Sequence, residues 1–189
     1  MNENIKEFFN NVAKTYTHDD NPTIDKLLDS LMLNPNSRIL DLGCGKGILT
    51  KHLLNRGCKN IVALDISEEM MKYFKEEINS KFVTFINGDF YEYESEPFDY
   101  IICFDAYPHF MDVDGFKNRV NLLLKNGGYL AIIHDIGRPT LNEHHKRTAG
   151  KVSRKLQNPK EEAEIFKDTC DIVAVEEADD YYKLIVKKR

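Results

Sequence analysis

The chain of 189 residues has no run of about 18 apolar residues, the length that a membrane-spanning helix needs. The stretch from Met1 to Asn11 is polar and lacks the apolar region of a secretory signal. Basic residues are not in excess. The 26 Lys and Arg stand against 31 Asp and Glu, a formal charge of −5, so the basic footprint of a general nucleic-acid binder is missing. The four cysteines, Cys44, Cys58, Cys103 and Cys170, form no CxxC pair, which argues against a zinc knuckle and against a disulfide framework. Together these absences predict a reduced, cytoplasmic protein with no membrane partner. No internal repeat, low-complexity tract or long linker divides the sequence. Its length suits one domain that can bury a core, and separate cofactor and substrate domains are not expected at this size.

What is present is periodic. Ile5, Phe8, Phe9 and Val12 recur at helical spacing over Asn2 to Lys14. A second helical stripe, Ile24, Leu27, Leu28, Leu31 and Met32, ends at Asn34-Pro35-Asn36. Short apolar runs then alternate with helical patterns. Strands are expected at 38–42, 61–64, 82–86, 100–104 and 129–133. Helices are expected from Ile48 to Leu53, from Ser67 to Ile78 and from Phe116 to Leu124. Strands that are nearly all apolar and alternate with helices predict a parallel sheet covered on both faces. After a helical stretch from Glu161 to Lys167, the runs 172–175 and 181–186 are separated by five residues, too few for a helical crossover. The prediction is therefore an α/β, Rossmann-like, doubly wound sheet of seven strands, five parallel and then an antiparallel C-terminal hairpin.

The most informative segment is Ile39-Leu40-Asp41-Leu42-Gly43-Cys44-Gly45-Lys46-Gly47, an apolar strand running into a loop with glycine at every second position and then a helix. Glycines let backbone approach a ligand, and the helix N-terminus offers free N–H groups to an anion. Asp65 ends the next strand, 20 residues after Gly45, where an acid can accept hydrogen bonds from both hydroxyls of a ribose. Loop and acid together imply a nucleoside-containing cofactor. The register is GxGxG, and Ile48 stands where the last glycine of a dinucleotide site belongs, which counts against a nicotinamide or flavin enzyme.

At these residues the chain resembles the class I S-adenosylmethionine-dependent methyltransferases, most closely the small-molecule type. ILDLGCGKG looks like their first motif and LDIS, around Asp65, like their ribose-binding acid. INGDF looks like the adenine-contacting motif, FDYIICFDAYPHF like the fourth-strand motif, and LLKNGGYLAIIH like the segment that follows. The resemblance spans 38–189 in order. The sequence departs from the pattern at Lys46, where a small residue is commoner, and again after the fifth strand. The resemblance implies S-adenosyl-L-methionine as cofactor. Asp41 would orient the methionine amino group, Gly43 and Gly45 would pass beneath the methionine portion, and Asp65 would hold the ribose. Asp89 would hold the adenine amino group, Ile66 and Phe90 would flank the ring, and backbone near Phe104 would hold the ammonium. Tyr16 would close over the cofactor. The expected layout is a single methyltransferase domain over 1–189: N-terminal helices (1–37), a cofactor-binding core (38–134), a basic lid and helix (135–170) and a terminal hairpin (171–189).

Methyl transfer from a sulfonium needs alignment, exclusion of water and a base where the acceptor carries a proton. Three histidines fall near the C-terminal ends of the fourth and fifth strands: His109, His134 and His145. Thr140 and Glu143 form a capping-box pattern, so a helix is expected to start there, with Leu141 and His145 facing inward and His144 and Arg147 outward. The three histidines have two functional readings besides ordinary packing. One is a catalytic base at neutral pH; the other is a divalent metal (Zn, Fe or Ni) held by all three. From Arg138 to Lys160 there are seven Lys or Arg and one acid, a local balance of about +6. That segment reads either as a solvated basic face or as a lid that draws an anionic small-molecule acceptor. Action on RNA or protein, and a non-catalytic cofactor- or metal-binding role on the same scaffold, are the rival readings.

Overall fold

A computed structural model of the protein describes residues 2–17 and 21–189. The strands are β1 (Ile39–Leu42), β2 (Ile61–Asp65), β3 (Val83–Asn87), β4 (Phe98–Phe104), β5 (Leu124–His134), β6 (Cys170–Glu177) and β7 (Tyr182–Lys188). The α-helices are α1 (Asn2–Val12), α2 (Pro22–Asp29), α3 (Ile48–Asn55), α4 (Glu68–Glu77), α5 (Val113–Leu123), α6 (Arg138–Thr148) and α7 (Pro159–Ala163). The seven strands form one sheet in the order β3-β2-β1-β4-β5-β7-β6. The first five in that order pair in parallel, and β7 runs antiparallel to both β5 and β6. The predicted class, strand number and terminal hairpin are all observed.

Both faces of the sheet are buried, which is why its central strands are apolar at successive residues. Side chains alternate between two cores. Leu40, Leu42, Ile101, Cys103, Leu130 and Ile132 pack against Phe116 and Val120 of α5, Leu141 of α6 and Ala163 of α7. Ile39, Ile61, Ala63, Ile102, Phe104 and Ile133 pack against α2, α3 and α4 through Ile24, Leu28, Leu53, Met71 and Phe74. Ser67 caps α4 by accepting from the Met70 N–H at 3.1 Å, as its place before two glutamates predicts.

Three elements differ from expectation. Strand β5 starts at Leu124 rather than Tyr129. Leu124 pairs with Phe98, and 125–128 form an irregularity around Gly127 before Tyr129 pairs with Tyr100. Helix α6 starts at Arg138, so Thr140 lies inside it and is not the cap. Pro139 suits the first turn, where its missing N–H has no intrahelical partner to lose. Gly137, the residue before the helix, approaches the carbonyls of Ala178 and Asp179 so closely that a Cβ would lie 2.4 Å from one of them. Contact with the hairpin thus sets the helix start. The stretch from Glu161 to Lys167 is split between α7 and a 3-10 turn at Glu164–Phe166.

The chain between β5 and β6 is anchored by one buried ion pair. Arg154 bonds Glu162 with both terminal nitrogens, at 2.7 and 3.1 Å, and Glu162 is 1% exposed. The Tyr107 hydroxyl donates to the same carboxylate at 3.1 Å, and the Arg154 guanidinium stacks over the Tyr107 ring. Removing one member of such a pair strands the other charge. Glu162→Ala is expected to destabilise the fold by about 3–5 kcal/mol. Urea unfolding of the two proteins measures this, and a loss below about 1 kcal/mol would show that the pair does not anchor the segment.

Candidate active site

The sheet order reverses at β1, which lies between β2 and β4, so the chain leaving β1 and the chain leaving β4 continue to opposite faces of the sheet and leave a crevice at the C-terminal ends of the strands. A cavity of about 430 Å³ occupies it. Its walls come from the ends of β1, β2 and β4 and from the turn after β3. Ile5 and Phe9 of α1 line it too, together with Tyr16 and Thr17 just beyond that helix. Tyr16, Asp41, Gly43, Gly45, Asp65, Ile66, Asp89, Phe90 and Phe104 all line this one cavity.

The loop after β1 is shaped by three glycines at positive φ, Gly43, Gly45 and Gly47. At Gly43 (φ 74°) a Cβ would lie 2.6 Å from the Ala106 Cβ, so only glycine lets the β1 and β4 loops meet. At Gly45 (φ 51°) a Cβ would meet nothing within 4 Å, because that side of the backbone is open space. The Gly45 N–H donates to Asp65 Oδ2 and the Ser67 N–H to Asp65 Oδ1, each at 2.8 Å. Burial raises the Asp65 pKa above the ordinary carboxylate value, and those two N–H donors oppose the shift. Asp41 is buried beneath the loop, where it accepts from the Thr50 hydroxyl at 2.5 Å, and burial pushes its pKa up to about 7. Asp89 Oδ1 accepts from the Tyr91 N–H at 3.0 Å.

The N-terminal segment is fastened over this floor. Lys46, the residue that departs from the family pattern, donates from Nζ to the Tyr16 carbonyl at 2.8 Å and lies over the Tyr73 ring. Asn10 of α1 accepts from the Ser67 hydroxyl at 2.7 Å. Ile5 packs with Ala149 and Val152, and Phe8, Phe9 and Met111 lie against them. Burial, and after it the charges of Asp105, Asp135 and Asp65, raise the Tyr16 pKa, so its hydroxyl stays protonated.

The histidines converge, but only one reaches the cavity. His109 lines it, with its ring 4.8 Å from Phe9 and 4.9 Å from His145. Its Nδ1 lies 2.9 Å from the Val152 carbonyl; a carbonyl only accepts, so Nδ1 carries the hydrogen and Nε2 is bare. Burial pushes the pKa of His109 down to about 4 and does the same to His145. His134 is fully buried behind the wall, its Nδ1 3.0 Å from Asp105 Oδ1 and its ring edge-on to Tyr182. His134 and His145 are not among the residues that line the cavity. As expected, Leu141 and His145 face inward from α6 while His144 and Arg147 are exposed. Among the described residues no group of three or more His, Cys, Asp or Glu is placed to hold a metal ion, so the three-histidine metal expectation finds no support. The turn of His109 toward a backbone carbonyl and the burial of His134 are the physical reasons.

None of the seven cations between Arg138 and Lys160 lines the cavity. Arg138 is paired with Glu177 at 2.7 Å and Arg154 with Glu162, while Lys146, Arg147, Lys151, Lys155 and Lys160 are exposed. Sequence reasoning missed Thr50, Asn10 and the roofing role of Phe9. Phe9 carried a signal, its place on an apolar helical stripe; Thr50 and Asn10 carried none.

Residues 40–132 match the family model described as a methyltransferase domain. Over that stretch the chain matches a methyltransferase domain. Over 123 residues it is 38% identical to the malonyl-acyl-carrier-protein O-methyltransferase of Acetivibrio thermocellus, an alignment covering 63% of this chain and 43% of that protein. Over 114 residues it is 31% identical to ribosomal RNA small subunit methyltransferase A of Mycoplasma mobile, covering 60% of this chain and 42% of the relative. The chain thus matches about two fifths of the length of each of these curated relatives. The magnesium protoporphyrin IX methyltransferase of Synechocystis, solved with bound S-adenosylhomocysteine, shares the fold with a TM-score of 0.74 at 17% identity, over 99% of both chains.

The methyltransferase domain's first loop gives a direct test. Gly43→Ala combines positive φ with a backbone-level collision and is expected to cost about 2–4 kcal/mol, whereas Gly45→Ala bears the φ strain alone, about 1–2 kcal/mol. Denaturant midpoints should rank them in that order; equal losses would mean that the contact with Ala106 does not constrain the loop.

Proposed function

We propose that the protein is a methyltransferase that uses S-adenosyl-L-methionine on a small-molecule acceptor. The observation that carries this is the gathering of nine residues, from five separate stretches of sequence, on the wall of one cavity at the sheet's reversal point. The residues present fit the cofactor. Open space above Gly45 admits its methionine portion, and Asp65, oriented by two backbone donors, suits a ribose diol. Asp41 answers the cofactor's ammonium, Asp89 the adenine amino group, and Ile66 and Phe90 the faces of the ring. The Phe104 backbone lies on the ammonium side, and Tyr16 covers the site. Ile48 directly follows the left-handed Gly47 at the helix start, where a dinucleotide loop would carry its third glycine.

When bound, S-adenosylmethionine supplies a methyl group that is already activated by its positive sulfur. The chain's own part is to align an acceptor, exclude water beneath α1 and receive a proton. His109 has the bare Nε2 for that last task and packs against the His145 ring, while His134 lies behind the wall against Asp105 and Tyr182. Among the described residues no set favours a divalent metal at this site. The relative named as a malonyl-acyl-carrier-protein methyltransferase and the magnesium protoporphyrin IX methyltransferase support a small acceptor. The ribosomal RNA relative and the five exposed cations of 146–160 favour the RNA alternative. All four cysteines are buried and unpaired, which supports a reducing, cytoplasmic setting.

Protein incubated with methyl-labelled S-adenosylmethionine and cell extract should place label in the small-molecule fraction. Label in RNA or protein would overturn the acceptor class, and binding without transfer would favour a non-catalytic role. Asp65→Ala should weaken cofactor binding about ten-fold or more through the lost ribose contacts. Asp41 must be ionised to hold an ammonium, and its pKa near 7 means that it gains a proton as pH falls through that value. Cofactor affinity measured by calorimetry should therefore drop from pH 7.5 to pH 5.5, and Asp41→Asn should flatten the profile. An unchanged profile in that variant would remove Asp41 from the ammonium site.

A further inference from the structure

We infer that Lys46 latches the N-terminal segment shut over the cofactor, so that S-adenosylmethionine enters and S-adenosylhomocysteine leaves only when the contact between Lys46 and Tyr16 opens. This rests on the methyltransferase reading and adds a positioning residue to that site.

Position 46 is where the sequence departs from the family it resembles, in which a small residue is commoner, and a small side chain would not reach Tyr16. Lys46 stands between Gly45 and Gly47, both at positive φ, in the loop after β1. Its Nζ donates to the Tyr16 carbonyl at 2.8 Å and lies 4.2 Å from the centre of the Tyr73 ring on α4. One ammonium therefore joins three parts of the protein: the cofactor loop, α4 and the chain just beyond α1. Lys46, Tyr16 and Thr17 all line the cavity, so the contact is made at its wall. The Thr15 and Tyr16 N–H groups donate to the Val12 carbonyl at 3.0 and 2.8 Å, which makes this stretch a turn continuous with the helix.

The roof is attached differently on its two sides. Toward the ends of β4 and β5 the attachment is apolar. Ile5 packs with Ala149 and Val152, and Phe9 meets the His109 ring edge to face with centres 4.8 Å apart. The ties to the cofactor loop and to the start of α4 include three hydrogen bonds. One is that of Lys46, and the others end on Asn10 Oδ1, which accepts from the Ser67 hydroxyl at 2.7 Å and from the Glu69 N–H at 3.3 Å. Water takes over a hydrogen bond at small net cost but cannot replace an apolar contact, so the side held by Lys46 and Asn10 is the one that opens. A tie between two parts of the protein acts alike on the free and the loaded site. Weakening it speeds arrival and departure together and leaves affinity nearly unchanged.

Surface plasmon resonance of S-adenosylhomocysteine on the immobilised protein reads both rates. Lys46→Met keeps the reach of the side chain and loses its donors. It should raise the association and dissociation rates about ten-fold each and move Kd by less than about three-fold. Asn10 is not among the residues that line the cavity, and Asn10→Ala should also raise both rates, by about three-fold or more. Lys46→Arg, which restores a cation with donors, should stay closer to the unmodified protein than to Lys46→Met. A faster dissociation alone, or lost binding in a variant whose urea midpoint is unchanged, would make Lys46 a direct contact of the cofactor and overturn the latch. Unchanged rates in Lys46→Met or in Asn10→Ala overturn it too, and if Lys46→Met fails to fold, Asn10→Ala decides. Failure of S-adenosylhomocysteine to bind the unmodified protein overturns the methyltransferase reading, and the latch with it.

Discussion

The Asp65 carboxylate is the joint on which the site depends. One oxygen accepts from Gly45 in the loop after β1, and the other from Ser67 at the start of α4. A single side chain at the end of β2 thus fixes the relative position of two neighbouring strand-to-helix turns. Ser67 passes the constraint on, since its hydroxyl caps α4 and donates to Asn10 of α1. The floor, one wall and the roof of the cavity are therefore tied through three residues. Both Asp65 oxygens keep lone pairs for further donors, so the group that organises the site can also hold what enters it.

The second half of the cavity is built differently. Its wall comes from the bend after β4, which is backed by residues 149–158 between α6 and α7, a stretch without helix or strand that relies on buried polar contacts. Glu162 gathers Arg154, the Tyr107 hydroxyl and the Gln157 N–H around one carboxylate. Val152, held nearby, supplies the carbonyl that sets the tautomer of His109. The position of a proton on the cavity wall thus depends on an ion pair that lines no part of the cavity.

The sequence made the first half legible because its signals are local. Strand β1, the alternating glycines and Asp65 lie within 27 residues, and each states its requirement in its own residue type. The inward turn of Leu141 and His145 followed from helical period alone. The second half could not be read that way. The start of α6 is set by Gly137 against Asp179, and the early start of β5 by pairing with Phe98, both contacts between distant parts of the chain. Two histidines at strand ends looked equivalent in sequence, and only packing separates His109 on the wall from His134 behind it. The basic stretch announced its charge but not its partners: Arg138 finds Glu177, 39 residues away.

The contact between Gly43 and Ala106 has a consequence for how such a protein can change over time. In the function proposed above, the loop after β1 answers to the cofactor and the loop after β4 to the acceptor. With 2.6 Å between a would-be Cβ at 43 and the methyl of Ala106, the two loops share one van der Waals surface. A lineage that altered residue 106 to suit a new acceptor would press on the cofactor loop at the same moment. Diversification of specificity is thereby steered toward positions farther along the wall, such as Phe9 and Phe110, where side chains vary without moving the loop below.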